Sequence, residues 1–497
     1  MDVKFTCAHS SAVERPAHNR LVVGSNPTGR ILLAIMKKFF KNLSPSLSLF
    51  YLFVFSIPFW KRLEIATPWS MIGQNFFEYG TIFLYGTSLL LLLTIVVWAF
   101  EVWRGGFLDS ARGRQKIIIG PRVIFWLLVL FLLWSAISLI GSRYPAIGFF
   151  HFLLLGQVFL IYLFVINKSR EINFFEGLAI VIISSGVFQV GIALGQYLKN
   201  QSLGLGILGE IKLSSTIAGV AKIIIDGERH IRAYGTFPHP NVLAGFLVIV
   251  GIAAIVLFFK TKGWKKYFTF LSLLIVSFGL FITFSRTGWL AATIFWGALG
   301  LWNFSLLRHE RKRNLIFLGS YFLVLLIFAL VLWRGISFRL TLADVGGDAA
   351  ISERVLTARS AFTMMKAVPL KGVGIGESIL SMKLFFPSLS FWQYQPTHNI
   401  YLLIGAEMGV VGLLLFLALI TAVFYFLGAI RRGSKVDVIR GIDIAFSAIL
   451  FISFFDHYFW TTQQGILLFG VVFASSIAAG LVFRKEDHGD SNQKSRF

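Results

Sequence analysis

The sequence predicts an all-α polytopic membrane protein of about twelve transmembrane helices, with both termini cytoplasmic and two large extracytoplasmic loops. Two observations predict the class. Apolar runs of roughly 20 residues recur along the chain, each long enough to cross a bilayer as a helix. Only 14% of the 497 residues are charged and 56% are hydrophobic, against about 25% charged in soluble domains. Lipid cannot satisfy backbone N–H and C=O groups, so such runs fold as helices.

Taken in order, apolar runs and polar breaks place helices near 45–60, 80–101, 123–141, 148–166, 174–196, 240–259, 268–284, 287–306, 315–333, 398–430, 441–455 and 465–483. The links "WRGGFLDSARGRQKIIIGPR", "KTKGWKK", "RHERKRN" and "RRGSKVDVIR" are short and basic. The positive-inside rule assigns them to the cytoplasm. The net charge of +23 is therefore read as topology rather than nucleic-acid binding. Residues 1–35 are polar and unpatterned, and "MKKFFKNLSPSLSLFYLFVF" follows them. We therefore expect 1–35 to be a non-native leader, translation to begin at Met36, and 36–497 to form one transmembrane domain. N-terminal sequencing that recovered Met1 would refute this. The single cysteine, Cys7, excludes intramolecular disulfides.

This orientation leaves two long outer loops, 197–239 and 334–397, rich in Arg, Gly and aromatic residues. Four stretches in or beside them could carry chemistry. In "FSRTGWLA", Arg286 stands at an outer hairpin tip, where a guanidinium can snorkel to the interface. In "ERVLTARSAFTMMKAVPLKGVGIG", Ile351, Val355, Leu356, Phe362 and Met365 form an apolar stripe at helical spacing, with Arg354 and Arg359 on other faces. The glycines that follow do not make a phosphate loop, because no Gly-Lys-Ser/Thr and no strand accompany them. In "HIRAYGTFPHPNVLAGFL", Arg232 is a candidate headgroup contact. His239, Pro240 and Asn241 suit the opening of a helix. In "THNIYLLIGAEMG", His398 and Asn399 enter a long apolar helix that carries Glu407, a carboxylate that needs a buried partner. By residue type alone, His398 fits a structural cap as well as a base. His457 in "FFDHYFW" is a further interfacial histidine. No H-x-x-x-H or H-E-x-x-H pair and no Gly-x-Ser-x-Gly elbow occur, so no metal, no cofactor and no serine hydrolase are expected.

The order of these four motifs resembles the O-antigen ligase/polymerase superfamily over residues 230–430. The resemblance implies a GT-C-like glycosyltransferase that moves a glycan from a polyprenyl-diphosphate carrier to a hydroxyl acceptor. That acceptor is lipid A core or a growing surface polysaccharide. The implied site lies on the extracytoplasmic face of the cytoplasmic (inner) membrane, inverts the anomeric carbon and uses no metal. Membrane lipids are partners and nucleic acid is not. By motif position, the resemblance assigns catalysis to His398, Arg286 and Arg354, with Arg359 competing with Arg354 for the second diphosphate contact. Arg232, His239, Asn241 and Asn399 are expected at the substrate, and Glu407 as support. The alternative class is a polytopic transporter or flippase of lipid-linked glycans, which would show paired repeats and midplane charges.

Overall fold

The structure, a computed structural model, describes residues 43–108, 117–306, 311–341, 347–430 and 436–494. The expected leader and start at Met36, with Cys7, lie outside the described residues. Pro45–Phe497 forms one compact unit.

Helices occupy the predicted stretches: α1 (Pro45–Ser56), α2 (Gly86–Leu108), α3 (Arg122–Ser138), α4 (Pro145–Lys168), α5 (Phe174–Lys199), α6 (Pro240–Lys260), α7 (Trp264–Ile282), α8 (Arg286–Leu306) and α9 (Arg311–Val331). After these come α10 (Trp333–Leu340), α11 (Gly347–Ala367), α12 (Ser378–Phe385), α13 (Ile400–Ile430), α14 (Val436–Ile452), α15 (Tyr458–Thr461) and α16 (Gln463–Lys494). Among the described residues eight helices are long and apolar enough to cross a membrane, and α1 and α3 are shorter apolar helices. α6 is apolar all round and almost wholly buried, which makes it the centre of the bundle. α9 is its opposite: Ile316, Phe322, Leu323, Leu326 and Leu330 are all exposed, a surface that suits lipid and not water.

The fold is not purely helical. Among the described residues three small two-stranded antiparallel sheets decorate it: β1 (Arg62–Ile65) with β4 (Ile82–Tyr85), β2 (Met71–Ile72) with β3 (Asn75–Phe76), and β5 (Lys222–Ile225) with β6 (Glu228–Ile231). Ile and Phe in β4 and the Ile run of β5 favour strands. β4 falls inside the run 80–101 expected to be helix, because its backbone pairs with β1 and the helix begins only at Gly86; the other strands are too short and too interrupted by polar residues to register as membrane helices.

The amphipathic reading of α11 is corrected. Its buried face is Thr357, Ser360, Ala361 and Met364, with Leu356 and Met365 packed alongside. Ile351, Val355 and Phe362 from the expected stripe are exposed. Small residues face inward because the helix lies close against its neighbours, so size rather than polarity decides which face is buried.

α13 is broken at Gly409, whose φ of 69° and ψ of −173° leave the helix. The carbonyls freed by the break find donors. Val373 N–H donates to Ala406 O (2.9 Å), Gly374 N–H to Glu407 O (2.9 Å) and Trp134 Nε1–H to Met408 O (2.8 Å). At Gly372 (φ +71°) a Cβ would stand 2.3 Å from the Glu407 backbone carbon, so only glycine lets this segment lie against the opened helix. The glycine run after α11 is thus a packing device.

Candidate active site at the α13 entrance

His398 sits just before α13, where Asn399 caps the helix. The Asn399 side chain accepts from Leu402 N–H at 3.0 Å, and its amide donates to Phe454 O at 3.3 Å. Ile400 N–H donates to Ser453 O at 2.9 Å. These bonds tie the α13 entrance to the end of α14, and so bring His398 to the link that carries Asp456 and His457.

That link supplies the centre of the site. His398 Nδ1 lies 3.5 Å from Asp456 Oδ1, and His457 Nε2 lies 3.8 Å from the same oxygen. The two imidazoles meet edge to face with centroids 5.0 Å apart. Asp456 is 4% exposed, and an unpaired carboxylate so deep is costly. Here it is met from several sides: His457 N–H donates to Oδ1 at 2.9 Å and the Asn241 amide to Oδ2 at 3.0 Å. Burial alone would raise its pKa, yet the imidazoles of His398, His457 and His239 outweigh burial and hold the carboxyl well below its usual range.

A polar chain runs from there to the α7–α8 tip. Arg232 Nη2 donates to Asn241 Oδ1 at 2.7 Å and Arg232 Nε to Thr283 O at 2.7 Å. Arg232 is 5% exposed. These bonds tie the guanidinium to the α6 entrance and to the α7–α8 link. His239 caps α6 by accepting from Asn241 N–H at 3.2 Å. Burial, then the charge of Arg232, push His239 down to about 3. Burial pushes His457 down to about 4 against the pull of Asp456, with His398 and Arg354 adding to the depression. Both histidines are therefore neutral near pH 7.

The arginines differ in kind. Arg286, the first residue of α8, is exposed, as are Arg354 and Arg359. Among the described residues no hydrogen bond or ion pair occupies these three guanidiniums. Arg354 is close enough to His457 to act on it electrostatically. It stands one turn before Thr357, whose carbonyl accepts from Thr397 Oγ1 at 2.9 Å, next to His398. Arg359 is five residues further on, about 140° around the helix, away from that contact. The two arginines therefore stand on different sides of α11.

Glu407 is a strut. Ser378 Oγ donates to one of its oxygens at 2.7 Å and Trp460 Nε1–H to the other at 2.8 Å. This fastens α12 and α15 to α13.

Sequence reasoning missed Asp456 and Tyr79. The phenol of Tyr79 donates to Gln395 Oε1 at 3.3 Å, three residues before His398. Burial foremost, and the charges of Glu78, Glu353 and Asp456, push it well above the usual phenol range. The excursion between α1 and α2 thereby becomes one wall of the site. "DH" at the break between two apolar runs was a visible signal for Asp456; nothing local marked Tyr79.

Helical membrane architecture and a histidine–carboxylate–arginine constellation at the helix ends define a polytopic membrane protein with an enzyme-like site. A family model described as O-Antigen ligase matches residues 270–417, so this segment is similar to the O-antigen ligase superfamily. No curated protein matches the chain. Arg286, Arg354, Arg359, His398, Asn399 and Glu407 fall inside the matched segment. Tyr79, Arg232, His239, Asn241, Asp456 and His457 fall outside it, so the chain completes the constellation from both flanks.

Proposed function

We propose that the protein transfers a glycan from a polyprenyl-diphosphate carrier to a hydroxyl acceptor, lipid A core or a growing polysaccharide. In this reading the site opens on the extracytoplasmic face of the inner membrane, with twelve spans and both termini cytoplasmic. His398 removes the acceptor proton while the hydroxyl oxygen attacks the anomeric carbon. The bond from that carbon to the diphosphate oxygen breaks, and its electron pair leaves on the diphosphate. Attack from the opposite side inverts the centre.

What carries the reading is the contact of His398 with buried, ionised Asp456. A carboxylate on one ring nitrogen favours the tautomer whose other nitrogen accepts a proton, and it stabilises the imidazolium that results. The exposed guanidiniums of Arg286 and Arg354 supply fixed positive charge for the diphosphate. Arginine forks match phosphate oxygens and stay charged at every relevant pH. The leaving charge is thus met without a metal.

The test is donor turnover by the full chain in lipid nanodiscs, supplied with polyprenyl-diphosphate glycan, candidate acceptors and EDTA. Release of polyprenyl diphosphate with acceptor modification, abolished in His398→Ala, is the expected result. Equal turnover by both proteins removes His398 as the base. Passage of intact glycan lipid without turnover overturns the glycosyltransferase reading in favour of a flippase.

A further inference from the structure

His398, Asp456 and His457 form more than a base and its carboxylate. One ligand-capable atom from each lies within 4.8 Å of the others. Ligand atoms around a tetrahedral zinc ion, each at about 2.0–2.1 Å, stand roughly 3.3 Å apart. The separations of 3.5 Å and 3.8 Å about Asp456 Oδ1 need little contraction to reach that.

Outer contacts present the ligands in the required state. His457 Nδ1 lies 2.6 Å from Thr461 Oγ1. A ring N–H donated there leaves the lone pair on Nε2, the atom facing Asp456. Such a second contact is what fixes a metal-binding imidazole. Asn241 anchors Asp456 Oδ2, and Oδ1 stays turned toward both rings. His398 Nδ1 is the telling atom: it is buried and makes no hydrogen bond. A buried, unsatisfied nitrogen wants a proton or a cation.

We propose that His398, Asp456 and His457 bind one zinc-class divalent cation, and that occupancy switches transfer off. Two imidazoles and one carboxylate with an open fourth position suit zinc, cobalt or nickel, and do not suit magnesium or calcium, which prefer oxygen ligands. With the cation on Nδ1 of a neutral His398 ring, the proton resides on Nε2. That nitrogen then cannot accept the acceptor proton. Binding follows from the ligand set alone; the switching rests on His398 as the base, as proposed above.

The test uses the EDTA-treated full chain in nanodiscs, with Co²⁺ titrated by its visible d–d absorption and Zn²⁺ by calorimetry. Uptake is expected to saturate at one ion per chain. His457→Gln removes a ligand and is expected to weaken it by at least about 10–100-fold, the cost of disturbing even an outer partner of a metal site. His230→Gln, a change at a histidine in β6 away from the site, serves as the control and leaves uptake unchanged. Absence of uptake, or equal uptake by His457→Gln and the unaltered protein, overturns the site. In the turnover assay, saturating Zn²⁺ is expected to stop polyprenyl-diphosphate release, with EDTA restoring it. Uptake through this ligand set with undiminished release overturns the switch and removes His398 as the base.

Discussion

Two buried carboxylates, Asp456 and Glu407, stand near the α13 entrance, and their surroundings differ in kind. Asp456 is 4% exposed and Glu407 2%, so burial does not distinguish them. Their partners do. Glu407 receives an indole N–H and a serine hydroxyl, neutral donors that fix three helices in place. Asp456 receives an amide and a backbone N–H, but also faces two imidazoles, groups that can exchange a proton. A carboxylate surrounded by neutral donors is a fastening, whereas one that faces titratable rings is placed to take part in proton transfer.

The largest test of that contrast is Asp456→Asn beside His398→Ala. Each is expected to cut polyprenyl-diphosphate release by about 10²–10⁴-fold, the usual span for general-base catalysis. Glu407→Gln in the same assay should retain most of its turnover per folded molecule. Were Asp456→Asn to turn over normally, Asp456 would be a second fastening and the contrast would collapse.

The arginines sharpen it next. Arg354→Ala should lose about 10²–10³-fold, as when one charge-stabilising donor is removed, whereas Arg359→Ala should stay within about twofold, as most exposed substitutions do. Reversal of that order would show that α11 turns its other face to the donor.

Glu407→Ala tests the fastening itself. It strands the Trp460 N–H and the Ser378 hydroxyl, at about 1–3 kcal/mol for each buried unsatisfied group, and thermal unfolding in detergent should register the loss. A third buried acid, Glu377, gives a pH signature. Its pKa is raised by burial from 4.5 to about 7, against the hydrogen bonds from Ser142 and Tyr144 N–H and with the nearby Glu407 charge adding to the rise. A raised folded-state value means that the group's contribution is full below 4.5 and is lost as pH rises through 7. Glu377→Gln escapes that loss, so its melting temperature should gain on the unaltered protein between pH 5 and 8. A constant difference across that range would mean that Glu377 is ionised throughout. The smallest effect is expected for Tyr79→Phe, which removes one hydrogen bond worth about 0.5–1.5 kcal/mol and should raise the acceptor KM by no more than about tenfold. An unchanged KM would make Tyr79 part of the wall and no part of the acceptor contact.

Runs of consecutive residues were enough to set the membrane-helical class and the positions of most of the long helices. Hydrophobic runs are a property of consecutive residues, and lipid leaves the backbone one way to satisfy itself along them. His239, Pro240 and Asn241 were legible as a helix start for the same local reason. The tertiary structure alone decided what His398 meets. Asp456 and His457 are 58 and 59 residues away along the chain, and hydrogen bonds from Asn399 and Ile400 to the end of α14 bring them together. It also decided that Arg232 bonds inward to Asn241 and Thr283, that Arg354 and not Arg359 shares the His398 side, and that small residues rather than the apolar stripe form the buried face of α11. Each of these depends on which neighbour packs against a helix and how closely. That information lies between segments and not within any one of them, so neither periodicity nor motif spacing could supply it.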